Sequence, residues 1–327
     1  MNITADENPR VTVGLPVFNG QEHIRAAIDS ILAQTFTDFE LVVCDNASTD
    51  ATADIVADYA SRDSRVRHHR NASNIGLIAN FNLSFNLSRS TYFKWAAVDD
   101  LCAPSLLENC VRVLDSEPDV VLCHSRTDII GADGSVLYAH PHDGLRTDAL
   151  EPSARFSELI QHYHWCVAQF GVIRSSALGG DAPFRRHPHA DRVLLAQLAL
   201  QGPFRELPET LFFFRRHDQA SSLSSQPHRY AWSIAPESRG RPVFPSWRLL
   251  YELVRTVESA PLSAIEKLRC YAHLARWQSR GLNGARLARD VVVAAGIQLG
   301  IINDGTPTSR PRYAKAVSGD LDPRDRL

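Results

Sequence analysis

Through the first 125 residues, short continuous apolar runs alternate with stretches whose apolar positions recur every three or four residues. The runs at 10–16, 39–44, 92–97 and 119–124 have the length and the Val, Leu and Phe content of strands buried on both faces, and 65–69 is a shorter, more polar member of the set. Between them, Ile24, Ala27, Ile28, Ile31 and Leu32, then Ile55, Val56 and Tyr59, and later Leu106, Leu107, Val111 and Leu114 keep the helical period, and 78–88 reads as a further helix. Strand and helix in alternation predict an α/β fold, a doubly wound and mostly parallel sheet with helices on its faces.

After Ser125 the rhythm breaks. Residues 128–137 predict a hairpin turning at Asp133-Gly134, 153–162 a helix, 167–173 an apolar segment, 190–200 a strong helix with an acidic start, and 211–217 a strand that turns basic. Residues 219–246, rich in Ser, Pro and Arg, read as a flap or linker. Helical patterns follow at 247–258, 264–280 and 285–299, and 304–327 has the composition of a disordered tail. The expected organisation is one domain over 1–218 with halves at about 10–125 and 126–218, the flap, a helical C-terminal extension over 247–303, and the tail.

An apolar content of 44% and a charged content of 22% suit a globular chain, and a net charge of −2 gives no reason to expect nucleic acid as a partner. From Arg241 onward, 14 Lys and Arg stand against 8 Asp and Glu, so basic residues gather in the C-terminal helices, where peripheral contact with an anionic membrane is one reading and a solvated helix face the other. Six scattered cysteines without a CxxC pair read as small buried apolar residues of a reducing compartment. The first residues lack the basic and apolar regions of a signal peptide, and the apolar run at 291–302 is too short to span a bilayer, so a cytoplasmic protein, at most peripheral at the inner membrane face, is expected.

Candidate chemistry sits at strand ends. The 92–97 run stops at Asp99-Asp100 and the 39–44 run at Asp45, so both acidic loops open on the carboxyl edge of the sheet, where open α/β folds keep their ligands. Adjacent carboxylates repel unless a cation lies beside them, and a hard divalent metal with phosphate is the usual partner; a turn capping the next helix is the plainer alternative. A dinucleotide site is excluded because the first strand runs into Pro16-Val17-Phe18-Asn19 and not into a GxGxxG turn. The spaced pairs His162/His164 and His187/His189 lack a third ligand at zinc spacing, and with Trp165 they read more simply as the wall of an acceptor pocket.

Residues 11–19, the long run 30–50 and the Asp99-Asp100 strand end together resemble the family 2 glycosyltransferases of the GT-A fold, over roughly residues 10–218. The resemblance implies a nucleotide-diphospho-sugar transferase in which Pro16, Phe18, Asn19, Asp45, Asn46 and Asp99 hold the nucleotide. It further implies that Asp99, Asp100 and His217 serve a Mg²⁺ or Mn²⁺ ion, that Arg215 and Arg216 meet the diphosphate, and that Asp191 is the catalytic base. The donor would be UDP-, dTDP- or GDP-linked and the acceptor a saccharide or lipid-linked sugar, in polysaccharide, glycolipid or glycoconjugate biosynthesis. Two positions depart from the pattern: Ala97 replaces a first Asp, leaving a two-carboxylate metal site, and Asn46 replaces a second Asp, altering how a base would be read. A catalytically impaired nucleotide-sugar scaffold is the alternative that Ala97 supports. A sugar-nucleotidyltransferase is the other, although the Gly-rich basic loop that it needs is absent from 18–21.

Overall fold

The computed structural model describes residues 8–140, 144–180, 182–216, 234, 240–280 and 283–302. Among these, nine strands form one sheet: β1 (Val11–Val17), β2 (Phe39–Asp45), β3 (Val66–Arg70), β4 (Tyr92–Trp95), β5 (Leu101–Cys102), β6 (Leu122–Ile130), β7 (Val136–Ala139), β8 (Val172–Arg174) and β9 (Phe204–Arg215). Their order is β3-β2-β1-β4-β8-β6-β9-β5, with β7 hanging from β6. The first half is parallel throughout, and β8 then enters antiparallel to both β4 and β6, so the expected GT-A-type sheet is mixed in its second half.

All seven residues of β1 are buried, which is why its sequence is continuous and not alternating. Helices α1 (Ile24–Leu32), α2 (Thr52–Arg62) and α4 (Leu106–Ser116) contribute to the main core together with β1 and β2. Helix α3 (Leu77–Asn86) lies so close to β1 that a Cβ on Gly14 would fall 2.6 Å from the Phe93 ring and 2.8 Å from Ser84 Oγ. Pro16 is tolerated inside a central strand for a directional reason. Gly14 accepts from Ala96 on the β4 side at 2.9 Å, and Pro16, two residues on, would point its missing N–H the same way, beyond the last rung with β4.

The second half adds α5 (Pro152–Gln161), a short 3₁₀ turn (Val167–Phe170), α6 (Ser175–Leu178) and α7 (Ala190–Gln201). The C-terminal helices α8 (Pro245–Ser259), α9 (Ala264–Ser279) and α10 (Asn283–Gln298) follow. Leu249, Leu253 and Val257 of α8 and Cys270, Leu274 and Trp277 of α9 share an apolar cluster with Phe156 and Ile160 of α5 and Val193, Ala196 and Leu200 of α7. Glu252, fully buried on α8, accepts from Arg185 at 2.8 Å and pairs with Arg248 at 2.6 Å, tying α8 to the loop ahead of α7. No helix among the described residues is long and apolar enough to cross a membrane.

Four expectations needed adjustment. The strand foreseen at 119–124 and the first arm of the hairpin are one strand, β6, whose burial alternates because one face is more open. The strand foreseen at 211–217 begins at Phe204, the apolar segment at 167–173 divides into a 3₁₀ turn and β8, and the residues after Asp100 form the two-residue β5 before α4. Most of the flap at 219–246 and the tail at 304–327 lie outside the described residues.

The shared cluster makes a stability prediction. Leu253→Ala should cost about 2–5 kcal/mol and shift one cooperative urea transition that includes the sheet; a separate early transition for the C-terminal helices would show that they fold apart.

Candidate functional site

The carboxyl edge beside the β1–β4 gap is built by two loops locked to each other. Asn19 and Ala47 sit in the left-handed region, at φ 52° and 61°. Asn19 N–H donates to Ser48 Oγ at 2.9 Å, its Oδ1 accepts from Thr49 N–H at 2.8 Å, and Gly20 N–H donates to Thr52 Oγ1 at 2.8 Å. Pro16 is buried at the base of this edge, and Phe18 stands at its lip, 47% exposed.

Asp45 ends β2 with its side chain fully buried. Oδ1 accepts from Ser48 N–H at 2.8 Å, while Oδ2 has no hydrogen-bond partner and lies 3.4 Å from Arg70 Nε and 3.9 Å from His68 Nε2. Burial lowers the His68 pKa and the Asp45 charge opposes that. Asn46, beside it, is turned inward: Nδ2 donates to Asn74 at 2.8 Å, and Oδ1 accepts from Asn71 Nδ2 at 3.0 Å and from Ile75 N–H at 2.9 Å. Asn71 reaches Asn80 at 3.0 Å, and Asn80 reaches the Cys44 carbonyl at 2.7 Å. Asn46 thus fastens the 71–76 loop to β2. The Asn-rich run at 71–74 was its only trace in the sequence.

Across the gap, Asp100 is 6% exposed. Its Oδ1 accepts from Arg215 N–H at 2.9 Å and its Oδ2 is buried without a partner. Burial, with Asp99 adding to it, pushes the carboxyl up to about 7, against the Arg215 N–H and the nearby Lys94 and Arg215 charges. Lys94 itself is buried in β4, donating to the Trp95 and Phe170 carbonyls. The guanidinium of Arg215, expected on a diphosphate, is buried and donates to the carbonyls of Asp99 at 2.8 Å, Gly131 at 2.8 Å and Ala132 at 2.9 Å. Arg216 points the other way, donating to Tyr138 Oη at 3.0 Å with its guanidinium 5.4 Å from the Trp165 ring centre. His217 lies outside the described residues.

Among the described residues no three His, Cys, Asp or Glu side chains are grouped to hold a metal. The acidic turn offers two carboxylates, hard oxygen donors of the kind Mg²⁺ and Mn²⁺ take, and the orphaned Oδ2 of Asp100 is a buried acceptor that a cation would satisfy. The histidine pairs brace turns. His164 bonds the Leu159 carbonyl through Nε2 at 3.1 Å and receives Cys166 N–H on Nδ1 at 3.3 Å, while His187 Nδ1 receives His189 N–H at 3.2 Å. Burial holds His164 and His187 down at about 4 and His189 at about 3, so these rings are neutral.

Asp191 lies in the first turn of α7, but His189 occupies the cap position, so the acidic residue is not the helix cap. One of its oxygens accepts from Arg192 N–H at 2.8 Å. Burial raises its pKa, opposed by that N–H, by the Arg192 charge and by a hydrogen bond with Cys166, a buried residue at φ 59° that the sequence did not single out. Cys166, Ala190 and Ala97 join one apolar cluster, which places the start of α7 and the acidic turn on the same flank of the sheet. A cavity of about 90 Å³ next to Cys166 is lined by His124, Thr127, His140, Thr147 and His164 among others. Trp165 meets His140 edge to face at 4.9 Å, outside that lining.

Comparison with known proteins adds a family to this geometry. The family model described as glycosyl transferase family 2 matches residues 12–178. An uncharacterised protein of Mycobacterium tuberculosis is 31% identical over 204 residues, 61% of this chain and 57% of its own length, so the chain spans little over half of that relative. An uncharacterised glycosyltransferase of Haemophilus influenzae is 25% identical over 228 residues, 66% of this chain and 68% of its own. Among solved structures, S. aureus TarS 1–349 in complex with UDP-GlcNAc has a TM-score of 0.62 at 15% identity, covering 88% of this chain and 81% of that one. The mannosyltransferase PcManGT from Pyrobaculum calidifontis, in complex with GDP-Man and Mn²⁺, has a TM-score of 0.50 at 18% identity, covering 96% and 87%. At such identities the likeness is one of fold.

The asparagine lattice is testable. Asn46→Ala removes the three hydrogen bonds that fasten Asn71, Asn74 and Ile75 to the end of β2 and should lower stability by about 1–3 kcal/mol. Asn46→Asp, which keeps both acceptor bonds, should cost less; equal losses in chemical denaturation would reject the lattice.

Proposed function

We propose a function from one premise: the chain belongs to glycosyl transferase family 2. It transfers a sugar from a nucleotide-sugar donor to a hydroxyl of a saccharide or lipid-linked acceptor, with inversion at the anomeric carbon, as a step in making a polysaccharide, glycolipid or other glycoconjugate. The observation that carries this reading is the pairing of Asp45 with Asp99-Asp100 on either side of β1, each side keeping a buried carboxylate oxygen without a hydrogen-bond partner.

Asp45 Oδ2 is an acceptor for a base N–H, and Phe18 and Pro16 supply an apolar edge for the base. Asn19 and Asn46 act on the nucleotide indirectly, by fixing the two loops. Asp99 and Asp100 would hold Mg²⁺ or Mn²⁺, which when bound stabilises the negative charge developing on the departing diphosphate. Arg70 beside Asp45 brings a cation to the nucleotide side, and Arg216 over Trp165 brings one to the acceptor side. Asp191 takes the proton of the attacking hydroxyl, and a carboxylate made more basic by burial suits that task. A single base opposite the leaving group gives inversion, while Trp165 and the residues around the adjoining cavity receive the acceptor.

Calorimetry with UDP-, dTDP- and GDP-sugars, with Mn²⁺ and with EDTA, tests the reading. One donor class should bind and should weaken on chelation, and no binding by any of them would overturn it. With the donor in hand, Asp191→Asn should lower kcat by about 100- to 10,000-fold with donor affinity unchanged; retained turnover would remove Asp191 as base.

The pH profile has a definite sign. Asp191 must be ionised to accept a proton, so kcat/KM should fall on the acid side through a pKa above the ordinary aspartate value, because burial raises it. An acid limb at the ordinary aspartate position would contradict that.

A further inference from the structure

We infer that Arg215 is a positioning residue that latches the acidic turn to the β6–β7 hairpin, and is not a ligand of the diphosphate. Its importance for metal and donor rests on the transferase reading above, whereas the latch itself does not. At the end of β9 successive side chains point to opposite sides, so Arg215 is inward, 5% exposed, and Arg216 reaches Tyr138 and Trp165. Four donors leave this one residue: its N–H to Asp100 Oδ1, Nε to the Asp99 carbonyl, and Nη1 to the carbonyls of Gly131 and Ala132, all between 2.8 and 2.9 Å.

Beyond the turn, the two-residue β5 pairs with β9 and Ala103 N–H donates to the Leu211 carbonyl at 2.9 Å, whereas two bonds of the turn itself are long, 3.4 Å from Asp100 N–H to the Ala97 carbonyl and 3.3 Å from Cys102 N–H to Ser30 Oγ. The Gly131–Ser135 turn is closed by its own 2.9 Å bond, so the guanidinium braces the loose turn against a firmer one. A planar fork reaching three carbonyls from two turns is a task for arginine that a lysine ammonium performs only in part. Since the backbone of Arg215 also holds one oxygen of Asp100, a single residue sets how the two carboxylates stand towards a cation.

The test uses the full chain with Arg215→Gln and Arg215→Lys, and Arg216→Gln as the comparison. In the ligand-free protein, amide exchange at 97–102 and 130–135 should rise together by about tenfold or more in Arg215→Gln, less in Arg215→Lys, and stay unchanged in Arg216→Gln. Titration with UDP, dTDP and GDP in the presence of Mn²⁺ should show, for the nucleotide that binds, an affinity loss in Arg215→Gln of the same factor at low and high salt, because no phosphate contact has gone, and partial rescue by Arg215→Lys. Unchanged exchange in both Arg215 variants, or a loss that shrinks as salt rises, overturns the proposal. If Arg215→Gln does not fold, Arg215→Lys decides by the same two readouts. If none of the three nucleotides binds the parent protein, the transferase reading fails while the exchange data still decide the latch.

Discussion

Everything at the site depends on where β1 and β4 stop being paired. The last rung is at Gly14 and Trp95, and Pro16 removes the N–H that the next rung would use. β1 then stays with β2 as far as Asp45, while β4 departs into the acidic turn. A crevice opens at the point where the strand order reverses, which is where a parallel sheet can receive a ligand without breaking its own ladder. Gly14 protects this arrangement by letting α3 lie directly on β1, so the crevice has a rigid floor.

The groups flanking the crevice are held by backbone and amide contacts more than by opposite charge. Asp45 and Asp100 each give one oxygen to a backbone N–H and keep the other free of hydrogen bonds. That division leaves an acceptor on each side of β1: the one on Asp45 is offset by Arg70 3.4 Å away, whereas burying the one on Asp100 without a hydrogen bond carries an energetic cost. The two sides are braced by hydrogen-bonded neighbours: the Asn46, Asn71, Asn74 and Asn80 lattice on one side and the Arg215 guanidinium on the other.

The parts of the molecule that sequence reading could reach are those with local causes. Strands β1 and β2 were legible because both faces are covered and their apolar runs are unbroken, and the run at 30–50 carries a pattern specific enough to suggest the family. Strand β8 was not legible, because three residues held by β4 and β6 have no period of their own. Arg215 and Arg216 look alike in the sequence, and only the alternation of β9 sends one inward and the other towards Trp165. Asn46 was read as a base-reading amide, but its partners lie 25 to 29 residues away and close the amide off. Cys166 gave no signal at all, since a left-handed cysteine is a property of the loop between α5 and the 3₁₀ turn.

Helix α7 packs on both sides. Leu194, Leu195, Leu198 and Ala199 face the cluster under β4 and β9, while Val193, Ala196 and Leu200 face α5, α8 and α9. A rod clamped between two solids has no compliant side, so a shift of the C-terminal helices is passed along α7 as a rigid displacement and arrives at Asp191. The position of the Asp191 carboxylate is then partly a property of residues beyond 245.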